Sequence, residues 1–136
     1  MAAKHLLVLG GGFAGLWSAV GAARKRDVMG ISPEELAITL VNRDAYHNIR
    51  VRNYEADLSE VRVPLRDVLE PVDVNLFEGY VEDIHADQQQ VMVKTTGGIE
   101  TLTCDRLVFA LGSQLQRPPV FGLIEHAFNV DTYDAA

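Results

Sequence analysis

The sequence predicts a doubly wound α/β domain with a small antiparallel β-meander inserted into it. Three observations support this fold class. Apolar runs within 5–10, 37–42 and 106–111 have the composition of strands buried in a parallel sheet. A glycine-rich turn joins the first run to an Ala-rich segment with the spacing of a helix. The stretch 81–104 instead alternates apolar and polar residues, which is typical of antiparallel strands.

The first half of the chain is expected to alternate strands and helices. Ser32, Pro33 and Glu35 form a local helix-start signal, in which Ser32 is the candidate N-cap. The segment 43–63 is polar and aromatic without a clear period. The predicted elements of this half are a strand at 5–10, a helix at 13–26, a strand at 37–42, a short helix that begins at Pro64 and ends at Pro71, and a strand at 74–78.

The second half is expected to form the meander and then return to the parallel sheet. Gly97-Gly98 is a tight-hairpin signal between the last two meander strands. The apolar run 106–111 ends in Gly112-Ser113, and 114–119 has the composition of a linker. The meander strands are predicted at 81–85, 90–96 and 99–104.

Length and composition indicate one ordinary globular domain. The 136 residues are 48% hydrophobic and 23% charged. Twelve Lys and Arg residues against 19 Asp and Glu residues give a net charge of −7, which offers no electrostatic case for nucleic acid as a partner. The sequence shows no signal-peptide pattern and no apolar run near the roughly 18 residues of a membrane span. It therefore predicts no transmembrane segment and a cytoplasmic, reducing location.

Metal and redox signals are weak. Cys104 is the only cysteine, which excludes an intrachain disulfide, and its β-type surroundings predict a buried structural thiol. His5, His85 and His126 are scattered along the chain, so no metal site is predicted. The basic cluster 24–26 is expected to complement the dipole at the C-terminal end of the first helix.

The strongest functional signal is the spacing G-x-G-x-x-G at Gly10, Gly12 and Gly15. It lies directly between a predicted strand and a predicted helix, the context in which this motif binds the pyrophosphate of a dinucleotide. Gly10 permits a tight turn, Gly12 lets the backbone approach the phosphates, and Gly15 lets the helix pack close to the sheet. Phe13 and Ala14 complete the turn and belong to the predicted site. The domain is therefore expected to be a Rossmann-like nucleotide-binding fold.

The end of the second strand leaves the identity of the nucleotide open. The simple motif has an acidic residue there, about 20 positions further on, which bonds the ribose 2′-hydroxyl. This sequence has Asn42, 27 positions after Gly15, and an amide bonds a hydroxyl without adding negative charge. Asn42 and Arg43 would also suit the 2′-phosphate of NADP, because Arg offers a planar charged fork. On these residues NADP is an alternative.

Four stretches of the chain together resemble a family of flavoproteins. They are LLVLGGGFAGL, ITLVNRDAYH, GYVEDI and LVFALGS, and they occur in the family's order. Over essentially its whole length the chain is similar to the FAD-dependent pyridine nucleotide-disulfide oxidoreductases, and within them to the type II NADH:quinone dehydrogenases. The resemblance implies FAD as the cofactor, NAD(P)H as the substrate of the parent protein, and a quinone-like electron acceptor.

The resemblance also implies a role for each site residue, although no catalytic residue is assigned. The glycine turn 10–15 would bind the FAD pyrophosphate. Asn42 would meet the adenosine ribose, and the backbone near Val81 would meet the adenine. The turn Ala110-Leu111-Gly112 would close over the diphosphate and ribityl part of the cofactor.

Some positions depart from the family's pattern. Asn42 replaces the usual Asp or Glu, and Leu111 replaces the commoner Thr. No Cys-x4-Cys pair follows the first helix, which excludes a dithiol–disulfide mechanism for this chain. Tyr46 and His47 match a pair common in quinone-reducing members, and a packing role for both is the favoured interpretation.

The resemblance implies that the chain is the N-terminal portion of a longer reductase. Residues 1–120 resemble the first part of the FAD-binding domain, and 121–136 are expected to be a linker toward an NADH-binding domain. Neither a second G-x-G-x-x-G nor a later Gly-Asp motif occurs in the sequence. The chain alone is thus expected to bind FAD weakly, to oxidise little NADH and to self-associate.

Partners and location follow from the same resemblance. The expected partners are a nucleotide and either a second copy of the chain or the remainder of the reductase. A membrane-peripheral location is implied for the full-length parent protein. The alternative function is a non-catalytic nucleotide-binding fragment or interaction module, which would bind NADP through Asn42-Arg43.

Overall fold

The computed structural model describes residues 3–136, which form nine strands, three α-helices and four short 3₁₀ turns. The strands are β1 (Lys4–Leu9), β2 (Leu36–Asn42), β3 (Tyr46–Asn48), β4 (Arg62–Pro64), β5 (Asn75–Glu78), β6 (Tyr80–His85), β7 (Gln90–Thr95), β8 (Gly98–Thr103) and β9 (Arg106–Phe109). The helices are α1 (Phe13–Val28), α2 (Leu65–Leu69) and α3 (Leu123–His126). No helix in this part of the chain is both long and apolar enough to cross a bilayer.

The central sheet has four strands in the order β5-β2-β1-β9, and every pair in it is parallel. Successive residues of β1 point to opposite faces, as the pleat requires. Val8 packs with Ala19 and Ala23 of α1 on one face. Leu7 and Leu9 pack with the meander on the other face. The predicted parallel sheet with two covered faces is confirmed, and the second cover is the antiparallel sheet β6-β7-β8.

The meander is confirmed close to its predicted limits. β7 and β8 form a hairpin in which Thr95 pairs with Gly98, so Thr96 and Gly97 make the two-residue turn. Gly98 is the first residue of β8 and has φ of +125°, a conformation that glycine adopts without a Cβ clash. A register irregularity between Val81 and Asp83 bends β6.

The short helix predicted from Pro64 is present as α2, but two details of the first half differ from the sequence analysis. The segment 43–63 contains an antiparallel ribbon, in which β3 pairs with β4. Each strand has only three residues, which is too short for a visible alternation. Pro71 does not end a helix but lies in the first turn of the 3₁₀ segment Glu70–Val72, where its missing N–H is not needed.

Two other predicted features end or fold differently. β9 stops at Phe109, so Ala110 and Leu111 lie beyond the strand. Ser32 and Glu35 make the reciprocal bonds of a capping box, Glu35 Oε2 accepting the Ser32 N–H at 2.9 Å. No helix follows, because the chain enters β2 at Leu36 after a single turn.

Arg26 is a buried charged residue in the last turn of α1. Its guanidinium donates to the carbonyl oxygens of Leu36 and Asp73, both at 3.2 Å, and of Val72 at 2.9 Å. It thereby joins α1 to the segments that begin β2 and β5. This role goes beyond the helix-dipole interaction expected for the basic cluster.

Cys104 is buried between the central sheet and the meander, as predicted. Burial raises the pKa of its thiol, and the neighbouring Asp105 carboxylate adds to the shift. Both effects disfavour the thiolate, which is the nucleophilic form of cysteine. The thiol is therefore suited to packing.

Candidate dinucleotide-binding site

An open cavity of about 1070 Å³ lies at the carboxyl ends of β1 and β2. β1 has β2 on one side and β9 on the other, so the strand order changes direction at β1. The cavity lies in the crevice at this point. Ligands of open α/β sheets bind at this kind of switch point. The lining comes from the four segments 10–14, 41–44, 79–81 and 109–115, and from the separate residues Tyr46, Asn48, Arg50, Arg117, Asn129, Asp131 and Thr132.

The structure brings the predicted site residues together around this cavity. All of them except Gly15 contribute to its lining: Gly10, Gly12, Phe13, Ala14, Asn42, Arg43, Val81, Ala110, Leu111 and Gly112. Gly15 lies behind the turn, where a Cβ would collide with the Gly10 carbonyl oxygen. Residues more than 100 positions apart in sequence thus share one surface.

The three glycines of the motif have different structural demands. Gly10 has φ of +103°, and a Cβ there would collide with the Ala110 carbonyl oxygen. Gly15 also has no room for a side chain, because a Cβ there would collide with the Gly10 carbonyl oxygen. Gly12 has ordinary extended dihedrals, φ −74° and ψ −171°, and a Cβ there would meet no heavy atom within 4 Å. Packing therefore explains Gly10 and Gly15, whereas Gly12 faces free space at the cavity.

The N-terminus of α1 provides donors for an anion beside Gly12. Gly12 is the N-cap and supplies no side-chain cap, and the first turn contains no acidic residue. The backbone N–H groups of Phe13, Ala14 and Gly15 have no acceptor within the helix, because helical bonding begins at Leu16, whose N–H donates to Gly12. These donors and the positive end of the helix dipole attract negative charge.

Asn42 lines the cavity but uses most of its bonding capacity within the protein. Its Oδ1 accepts the Gly11 N–H at 2.9 Å. Its Nδ2 lies within bonding distance of the Asp44 and Tyr46 carbonyl oxygens, at 2.9 and 3.2 Å. The second lone pair of Oδ1 is what remains for a ribose hydroxyl. The contact of Asn42 with a ribose stays a prediction.

A carboxylate that the sequence reasoning did not single out stands beside Asn42. Asp44 lines the cavity, and its Oδ2 lies 4.0 Å from Arg43 Nε and 3.7 Å from Arg62 Nη2. Arg43 itself extends into solvent, with 67% of its side chain exposed. The cavity mouth therefore carries both signs of charge, not the purely basic surface that a 2′-phosphate favours.

The end of the described chain folds back over the cavity. Asp131 accepts hydrogen bonds from the Arg50 guanidinium. The Arg62 guanidinium lies over the rings of both Tyr46 and Tyr133, 4.1 and 4.2 Å from their centroids. The contact between Arg50 and Asp131 joins residues 81 positions apart, and no sequence pattern indicated it. Part of 121–136 thus contributes to the cavity wall.

The histidines are not brought together. His5 bonds to Thr39 and Thr103, while His85 lies on the meander near Met92. Within residues 3–136 there is no group of three or more His, Cys, Asp or Glu residues placed to hold a metal ion.

Nearly the whole chain matches one known protein family. The profile of the pyridine nucleotide-disulphide oxidoreductases covers residues 4–136. The chain is a member of this family. The membership agrees with the glycine turn, the inserted meander and the cavity at the carboxyl edge of the sheet.

Two curated relatives in the family have named activities. An NADH dehydrogenase-like protein of Mycobacterium tuberculosis is 46% identical over 132 residues, which are 97% of this chain and 32% of that protein. The type II NADH:quinone oxidoreductase of Staphylococcus aureus is 33% identical over 133 residues, which are 94% and 31% of the two chains. The chain spans about a third of the length of these relatives.

Solved structures show the same fold. The sulfide:quinone oxidoreductase of Aquifex aeolicus has a TM-score of 0.74 at 25% identity, covering 98% of this chain and 30% of that one. The NDH2 of Plasmodium falciparum in complex with NADH has a TM-score of 0.71 at 15% identity, covering 97% and 27%. The predicted Rossmann-like fold class is confirmed.

Proposed function

We propose that this chain is the N-terminal FAD-binding portion of a flavoprotein oxidoreductase that passes electrons from NAD(P)H through FAD to a quinone-like acceptor. The observation that carries the proposal is the cavity at the switch point, lined by the glycine turn and the N-terminus of α1. The named activities of the family relatives supply the reaction class. In the proposed division, residues 1–120 form the cofactor domain and 121–136 lead toward the rest of the reductase.

The residues at the cavity fit a dinucleotide. The free space at Gly12 admits a phosphate close to the backbone, and the first-turn N–H groups of α1 would donate to it. Val81 of the meander and Gly79, just before it, line the side at which the adenine would lie. Ala110-Leu111-Gly112 would cover the diphosphate and ribityl part. When bound, FAD would supply hydride-accepting and electron-transferring chemistry that the side chains do not possess.

FAD is favoured over NADP by charge. A 2′-phosphate near Arg43 would also approach the Asp44 carboxylate, which repels it. The same carboxylate and the Asn42 amide suit neutral ribose hydroxyls. Arg43 on the cavity wall is the observation that supports NADP as the second candidate.

The direct test is a titration of the purified chain with FAD, NADPH and NADH. We expect FAD to bind more tightly than either reduced nucleotide and to shift the backbone amide resonances of residues 10–15 in ¹⁵N-resolved NMR spectra. Nucleotide added after heat denaturation provides the control for non-specific binding. Tighter binding of NADPH than of FAD would overturn the assignment and support the Asn42-Arg43 alternative.

Without a partner, the 136-residue chain is expected to hold FAD weakly and to turn over little NADH. Large apolar side chains at 109–130 are exposed, among them Phe109, Phe121 and Phe128, and such surface seeks a partner. We expect an almost colourless protein that sediments as a dimer. For the parent protein we propose a cytoplasmic or membrane-peripheral location. A yellow monomer with stoichiometric flavin and steady NADH oxidation would contradict this expectation.

A further inference from the structure

The peptide groups on either side of Gly11 are held by two side chains from the β2–β3 region. Asn42 Oδ1 accepts the Gly11 N–H at 2.9 Å. His47 Nδ1 lies 2.8 Å from the Gly11 carbonyl oxygen. Because a carbonyl oxygen only accepts hydrogen bonds, Nδ1 carries the proton and His47 is the donor. His47 is buried, with 5% of the residue exposed, and its ring packs edge-on against Phe13 at a centroid distance of 4.8 Å.

The need for such contacts follows from the sequence of the turn. Gly10, Gly11 and Gly12 are consecutive, and glycine has more backbone freedom than any other residue. The Gly11 carbonyl and the Gly12 N–H belong to one peptide unit and point in opposite directions, since the bond is trans. A rotation of this peptide unit would turn the Gly11 carbonyl oxygen toward the cavity in place of the Gly12 N–H. The carbonyl oxygen would repel a phosphate.

We propose that His47 is a positioning residue for the nucleotide phosphates. Its Nδ1–H bond holds the Gly11 carbonyl away from the cavity and so directs the Gly12 N–H toward the ligand. Asn42 fixes the preceding peptide unit in the same way, through the Gly11 N–H. The inference rests on the proposed function, because it assigns a role at the same nucleotide site.

The two side chains act before the ligand arrives. A turn that is already ordered loses less conformational freedom on binding than a mobile one. A side chain at Gly11 would displace Asn42, because its Cβ would lie 2.8 Å from Asn42 Cγ and 3.0 Å from Leu65 Cδ1. A glycine at position 11 therefore leaves room for the Asn42 side chain that accepts the Gly11 N–H, although this is a variable position of the G-x-G-x-x-G motif.

The test compares three substitutions at His47 with the wild-type chain. His47→Leu removes the donor and is expected to weaken FAD binding about tenfold, the size of one well-placed hydrogen bond. His47→Asn places an amide N–H near the position of Nδ1 and is expected to restore most of the affinity. His47→Gln carries its amide further out, near the position of Nε2, and should not restore it. His85→Leu, at a partly exposed histidine outside the site, should bind as the wild type does.

Backbone ¹⁵N relaxation of the ligand-free chain gives a second measurement. We expect faster motion at Gly11 and Gly12 in His47→Leu than in wild type or His47→Asn, with the motion of α1 unchanged. If wild type binds FAD and His47→Leu binds it equally well, the inference is wrong and the proposed function stands. If wild type binds no nucleotide, the proposed function fails. Equal relaxation in all variants would independently overturn the positioning role of His47. If His47→Leu does not fold, equal affinities of His47→Asn and His47→Gln would overturn it.

Discussion

Gly12→Val is expected to lower FAD affinity about 100-fold or more, equivalent to about 2.7 kcal/mol, while the chain remains folded. The valine side chain would enter the free space beside the N-terminus of α1, where the phosphates would approach the backbone. The backbone at Gly12 already has dihedrals that valine adopts readily. Because valine is a poorer N-cap than glycine, we expect a loss of about 1 kcal/mol in the free energy of unfolding. NMR-detected titration and urea denaturation measure the two effects.

Two other Gly→Val substitutions provide matched controls within the same helix. Gly15→Val should prevent folding, because even its Cβ collides with the Gly10 carbonyl oxygen. Gly21→Val should retain both the fold and the affinity, since a Cβ at Gly21 meets no atom within 4 Å and the position lies outside the cavity. Unchanged FAD affinity in Gly12→Val would show that the turn is purely structural. Loss of affinity in Gly21→Val would show that the measurement reports on α1 as a whole.

The sequence was informative wherever a local pattern matched a local structure. The apolar runs identified the parallel strands, because strands buried on both faces have few polar positions. The two-residue turn of the meander hairpin, Thr96-Gly97, overlaps the predicted Gly97-Gly98 signal. The glycine motif between a strand and a helix led to residues that line one cavity, although the binding roles of these residues stay predictions.

The sequence was uninformative where a feature depended on distant partners. Arg50 meets Asp131 and Arg62 meets Tyr133, and nothing near any of the four residues indicates the pairing. The same holds for Asn42, whose amide turned inward to Gly11 instead of remaining free for a ligand. Such contacts depend on the whole fold, so single-sequence patterns do not reveal them.

Arg26→Met is expected to lower the free energy of unfolding by about 3 kcal/mol, the largest stability loss we expect from a substitution that keeps the backbone intact. The methionine retains most of the aliphatic length of the side chain but leaves the carbonyl oxygens of Leu36, Val72 and Asp73 without their donor. These oxygens lie in the segments that precede or begin β2 and β5. Urea denaturation measures the free energy of unfolding of both proteins. An m-value equal to that of wild type would show that the loss arises in the native state and not from a change in the denatured state.

The neighbouring arginine and a lysine substitution make the test specific. Arg24→Met should leave stability nearly unchanged, because Arg24 is exposed on the same helix. Arg26→Lys should recover only part of the loss, since one ammonium group cannot reach three carbonyls with the geometry of a guanidinium fork. Burying a guanidinium also costs solvation, so its bonds must exceed that cost for the residue to stabilise the fold. If Arg26→Met were as stable as wild type, the hydrogen bonds of the guanidinium would only offset its cost of desolvation. The apolar contacts of α1, including those of Ala19 and Ala23, would then hold the helix on the sheet.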